Sequence, residues 1–142
     1  MARVAQLGIA LGALGIILTL MGLFPGVTGV APTPVIGIVQ IAAILTGFTL
    51  LILGALMYVK FTFYVQIAAT LAQQIGTRLA MTGLLFAALA GLADIFGFGS
   101  HTRAAAADAF IGPLQAVGVI GSFLLAAAGV LMYAMLGKSN TP

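Results

Sequence analysis

Four stretches of this chain, residues 4–24, 35–59, 79–98 and 114–136, carry between them a single charged side chain, Asp94. An apolar run of about 18 residues or more is long enough to span the hydrocarbon core of a bilayer. With no water to satisfy the backbone there, such a run must be a helix or part of a closed barrel. Barrel strands alternate polar and apolar residues over about ten positions, and none of these runs alternates. The whole chain is 63% hydrophobic and 5% charged, against about 25% charged for an ordinary soluble domain. The expected fold class is therefore an all-α membrane protein. Four transmembrane helices with short loops form a single domain over residues 1–142, with spans at about 4–24, 35–59, 79–98 and 114–136.

Proline and glycine mark most of the boundaries. Pro25-Gly26 stops the first helix, and Thr33-Pro34 supplies a cap and a first-turn proline for the second. Gly97 and Gly99 close the third, and Gly112-Pro113 opens the fourth. Arg3 before the first run and the small residues Gly29, Val30 and Ala31 resemble a secretory signal. The run exceeds the usual signal core of about 7–15 residues, and cleavage after Ala31 would leave Pro32 at the new terminus. A retained helix is expected. Between Lys60 and Arg78 only Gly76 interrupts, and Thr62, Gln66, Thr70, Gln73 and Thr77 recur at helical spacing. That pattern predicts an amphipathic cytoplasmic linker helix over residues 61–75, lying at the membrane surface.

With four spans, Arg3, Lys60, Arg78 and Lys138 share one side, while Arg103, Asp94, Asp108 and His101 fall on the other. Basic residues in short loops stay cytoplasmic. Both termini are thus expected in the cytoplasm, in a multi-pass protein of the inner or cytoplasmic membrane. The net charge of +3 is accounted for by topology, and five scattered basic residues give no footprint for nucleic acid.

The glycines of the first run follow a packing spacing. Ala5, Gly8, Gly12, Gly15, Thr19 and Gly22 fall on one face, Gln40, Ala43, Gly47 and Gly54 on the second helix, and Gly76, Ala80, Gly83, Ala87, Ala90 and Asp94 on the third. The fourth helix has a weaker set in Gly118, Ser122 and Gly129. Small residues let helix backbones approach in lipid, where no hydrophobic effect draws them together. The predicted helix-packing seam is Gly8, Gly12, Gly15, Gly22, Gly47, Gly54 and Gly83.

Polar residues near one end form the other candidate set: Gln40, Asp94 and Gln115, with Arg103 in the loop beyond them. They are expected to clamp the second, third and fourth helices together, with an Asp94–Arg103 pair holding the loop. That loop also contains a short helix candidate at residues 103–110 and the sole histidine, His101. Metal sites need several convergent ligands, so no metal and no catalytic residues are assigned. Two acids and one histidine supply neither an acid–base pair nor a nucleophilic triad. The expectation is not an enzyme but a non-catalytic structural or accessory subunit of a larger membrane complex, of which energy-transducing complexes are one kind. It would pack against lipid and against other integral membrane subunits or itself. It would have no intrinsic cofactor but room for a lipid or a quinone- or pigment-like molecule shared with partners. The alternative is a small homo-oligomeric transporter or channel. In length and span count the chain resembles the small multidrug-resistance transporters, but those carry a membrane-buried glutamate in their first helix and this chain has no glutamate.

Overall fold

A computed structural model describes residues 2–29, 36–98 and 112–137, and the regular elements among them are all helical. Helix α1 covers Ala2–Leu23, a 3-10 turn follows at Pro25–Thr28, α2 covers Ile38–Phe63, α3 Leu71–Gly91 and α4 Pro113–Met135. Helices α1, α2 and α4 are long and apolar enough to cross a membrane. α3 has 21 residues but opens with Gln73, Gln74, Thr77 and Arg78 in its first two turns, which lowers its hydropathy below the other three.

The helices pair as two antiparallel hairpins, α1 with α2 and α3 with α4. Glycine sets both interfaces. A methyl group placed on Gly15 would sit 2.5 Å from the carbonyl oxygen of Gly47, and one on Gly47 would sit 2.5 Å from the backbone nitrogen of Thr19. Gly8 faces Gly54 and Tyr58, and Gly22 faces Gln40 and Ile44. In the second hairpin Gly76 meets the Gly129 carbonyl, and Gly83 lies against Ser122 and Ala126. Backbone against backbone is the closest approach helices can make, and it maximises dispersion contact where lipid offers no competing hydrophobic drive.

The hairpins join through α2, which touches both α3 and α4, while α1 rests mainly on α2. Phe48 and Phe123 stack at the junction, with ring centroids 3.9 Å apart and planes inclined by 21°. Around them Ile52, Ala80, Ala87, Val119 and Ala126 are buried. All four ends therefore alternate, with the start of α1, the end of α2, the start of α3 and the end of α4 at one pole, called here the Lys60 pole. The other is the Gln40 pole.

The two hairpins are versions of one unit. Gly54-Ala55-Leu56-Met57-Tyr58 near the end of α2 answers Gly129-Val130-Leu131-Met132-Tyr133 near the end of α4. At the same offset along the chain Gly37 answers Gly112, Gln40 answers Gln115, and Phe48 answers Phe123. On the outer helices Gly8, Gly15 and Gly22 correspond to Gly76, Gly83 and Ala90. Both hairpins begin at the same pole, and the Phe48–Phe123 stack brings equivalent positions of α2 and α4 together. The hairpins do not pack symmetrically, since α2 touches α3 while α1 rests mainly on α2.

Two expectations about elements are corrected. The 61–75 linker is not one helix: α2 runs on to Phe63, residues 64–70 form turns and irregular chain, and α3 begins at Leu71. The Thr70 side chain accepts from the Gln73 backbone N–H at 3.2 Å and so starts a new helix there. The third helix ends at Gly91, short of Phe98. Turn bonds from Ile95 and Phe96 to the Leu92 carbonyl, and a left-handed Gly97 at φ +82°, replace the helical ladder. The Thr33-Pro34 start, the 103–110 helix candidate, His101, Arg103, Asp108 and Lys138 lie outside the described residues.

Candidate functional site

Three glutamines do the same work at three helix starts. Each sits at the third position of its helix, where four backbone N–H groups lack an intrahelical partner. The Gln40 side-chain oxygen accepts from the Gly37 N–H at 2.7 Å, and its nitrogen donates to the Gly22 carbonyl at 3.4 Å. Gln115 accepts from Gly112 at 2.8 Å and donates to Ala90 at 3.5 Å. Gln73 accepts from Thr70 at 3.0 Å and donates to Tyr133 at 3.4 Å. The three acceptors all lie in the last turn of the antiparallel neighbour, where carbonyls are left over. One side chain thus satisfies a donor at the start of its own helix and an acceptor at the end of the next, although the Ala90 carbonyl also takes the Ala93 N–H at 3.4 Å. At the Lys60 pole two further bonds serve the end of α4: the Tyr64 hydroxyl donates to the Ala134 carbonyl at 2.7 Å, and Thr70 donates to Leu136 at 3.2 Å.

This arrangement changes the clamp expected at the Gln40 pole. Gln40 ties α2 to α1 and Gln115 ties α4 to α3, so each closes its own hairpin and they do not meet as one cluster. Asp94 lies in the turn beyond α3, where its backbone carbonyl accepts from Gly97 at 3.2 Å. Gln73, which the sequence pattern puts on a surface stripe, is 1% exposed. The T-x-x-Q spelling of a capping box at Thr70–Gln73 is the signal that marks it.

Of the predicted seam, Gly8, Gly15, Gly22, Gly47, Gly54 and Gly83 each face backbone or a packed side chain across an interface. Gly12 contributes its backbone: a methyl group on Gly54 would sit 2.6 Å from the Gly12 nitrogen, whereas one on Gly12 itself would meet nothing within 4 Å. Gly76 and Gly129 take the equivalent places in the second hairpin. Three hydroxyls within the helices turn onto their own backbone. Thr19 donates to Gly15 at 2.8 Å, Thr49 to Leu45 at 2.7 Å and Ser122 to Gly118 at 2.6 Å.

Two recesses flank the bundle. Near the Gln40 pole an apolar hollow of about 250 Å³ opens between Leu23, Ile41, Ile44, Ala116, Ile120 and Phe123. Near the Lys60 pole a groove of about 500 Å³ runs between α2 and α3. Its walls are Leu53, Met57 and Met81, and its polar end carries Lys60, Gln74 and Arg78. The Lys60 ammonium lies 5.6 Å from the Phe61 ring centre, and both cations are exposed. Among the described residues no group of three or more histidines, cysteines or acids could hold a metal ion. No protein family, curated protein or solved structure matches this chain.

Proposed function

We propose that the protein is a non-catalytic accessory subunit of a larger membrane assembly, with all four helices crossing the bilayer and the Lys60 pole in the cytoplasm. Its two hairpins would pack other membrane helices and lipid around a rigid four-helix unit. The observation that carries this reading is the way its interior polarity is used. Thr19, Thr49 and Ser122 are bound to their own helices, Phe48 stacks on Phe123 at the centre of the α2–α4 junction, and the hollow beside that stack is lined by apolar side chains. A conducting or transporting chain needs polar or charged groups aligned along a path near mid-depth. α1 adds support, since Leu7, Ile9, Leu14, Ile16, Ile17 and Leu20 remain about half exposed on a helix that rests mainly on one neighbour. α3 runs beside α4 from Gly76 at Gly129 to Gly83 at Ser122, so it follows the depth of a helix that can span. Arg3, Lys60 and Arg78 at one pole support the orientation.

Purification of the tagged chain from its native membrane, followed by cross-linking, tests the assignment. Other membrane polypeptides cross-linked to α1 are expected. Recovery as a homo-oligomer that moves solute across vesicles would overturn it. The internal repeat favours that second reading, a small homo-oligomeric transporter, because transporters are also built from parallel repeats.

A further inference from the structure

We propose that the groove between α2 and α3 holds an anionic phospholipid, with its headgroup against Lys60 and Arg78 and one acyl chain along Leu53, Met57 and Met81. The volume of about 500 Å³ falls within the range of about 300–1,000 Å³ typical of ligand sites. Its two ends differ in kind. Leu53 lies about 10 Å along α2 from Lys60, at 1.5 Å of rise per residue, so the apolar wall leads from the cations toward mid-depth. A soluble anion would use the cations and leave the methionine-lined floor bare. An amphiphile uses both.

Charge complementarity selects its sign. Lys60 and Arg78 line one cavity, and among the described residues neither forms an ion pair. The chain holds two acids, Asp94 and Asp108. Asp94 follows the end of α3 at the opposite pole. Two like charges gathered on one groove favour an anion between them. Basic pockets between membrane helices on the cytoplasmic side take lipid headgroups in this way.

The internal repeat gives an independent reason to regard the cations as placed for a purpose. At the same offsets used to align the hairpins, Lys60 is answered by Met135 and Arg78 by Ala10. The repeat keeps the glutamine and glycine positions that hold each hairpin together, so these two charges are not part of the shared packing plan. They occur only where α2 meets α3, and that is where the groove lies. This inference requires the membrane setting but not the accessory role, since it concerns the chain's own lipid and no partner.

The test is native mass spectrometry of the full-length protein, in whatever assembly it purifies. The protein is first equilibrated with phosphatidylcholine vesicles containing or lacking phosphatidylglycerol. Retention of phosphatidylglycerol over phosphatidylcholine is expected for the unaltered chain. Each cation should contribute about fivefold, so Lys60→Gln with Arg78→Gln should lower phosphatidylglycerol retention about twenty-five-fold. Phosphatidylcholine retention and the melting temperature should stay unchanged, because both side chains are exposed. Leu53→Trp, which fills the apolar wall, should also reduce retention although the cations remain. Equal retention of the two lipids by the unaltered chain would overturn the proposal, as would full phosphatidylglycerol retention by the double variant. Displacement by inorganic phosphate alone would assign the cations to a soluble anion and reject the lipid.

Discussion

A methyl group added to Gly15 would sit 2.5 Å from both the Gly47 carbonyl and the Leu51 backbone nitrogen, whereas one added to Gly12 would meet nothing within 4 Å. Overpacking a rigid contact typically costs about 1–3 kcal/mol. Gly15→Ala should therefore lower the melting temperature of the detergent-solubilised protein clearly, while Gly12→Ala should leave it nearly unchanged or raise it. Equal shifts would remove the backbone-contact argument. The spacing of small residues is readable from the sequence, but the crossing geometry of two helices decides which glycines point across. Gly12 fits the spacing and lends its backbone to Gly54, yet its own side-chain direction is open. The glutamines allow a second comparison. Gln40→Leu and Gln115→Leu each remove a bond between helices, about 0.6 kcal/mol on average in lipid, together with a cap worth about 1 kcal/mol. Because each closes a different hairpin, their losses should add. A large coupling in the double variant would mean that the two side chains share one cluster after all.

The start of α3 shows how a helix boundary is hidden inside a continuous pattern. Thr62, Gln66, Thr70, Gln73 and Thr77 have the spacing of one amphipathic helix, yet the chain breaks at residues 64–70 and restarts at Leu71. Helical periodicity continues in register across a short break, so periodicity alone does not reveal it. The capping box does, because Thr70 and Gln73 exchange bonds at 3.2 and 3.0 Å. Thr70→Ala should speed hydrogen exchange at the first backbone amides of α3, consistent with a loss of about 1 kcal/mol. Amides of α1 should not respond. Tyr64→Phe should loosen the last turn of α4, since the Ala134 carbonyl would lose the hydroxyl that meets it at 2.7 Å. Unchanged exchange at the end of α4 would show that the Tyr64 bond carries no weight.

Phe48 and Phe123 join the two hairpins, but Phe123 is buried and Phe48 only half-buried, so Phe123→Ala should cost more than Phe48→Ala. The double replacement should cost less than the sum, with a coupling of about 0.5–1.5 kcal/mol beyond area burial. Fully additive losses would place the rings in separate environments. The membrane class, the helical content and most of the seam are readable from the four apolar runs, because lipid leaves the backbone few choices. The repeat is also spelled out, in Gly54–Tyr58 and Gly129–Tyr133, but it shows only on comparing the chain with itself. The pairing of α2 with both α3 and α4 is not written in any local pattern, since it depends on how two finished hairpins fit. That the closest contacts lie within each hairpin has a consequence for biogenesis. The glycine interface of α1 and α2 needs no residue beyond Phe63, so it can close while the rest of the chain is still being translated. A nascent chain arrested shortly after the ribosome releases α2 should already form a disulfide between Gly22→Cys and Ile44→Cys, before any part of α4 exists. The second hairpin would then arrive as a unit at a surface already built to receive it.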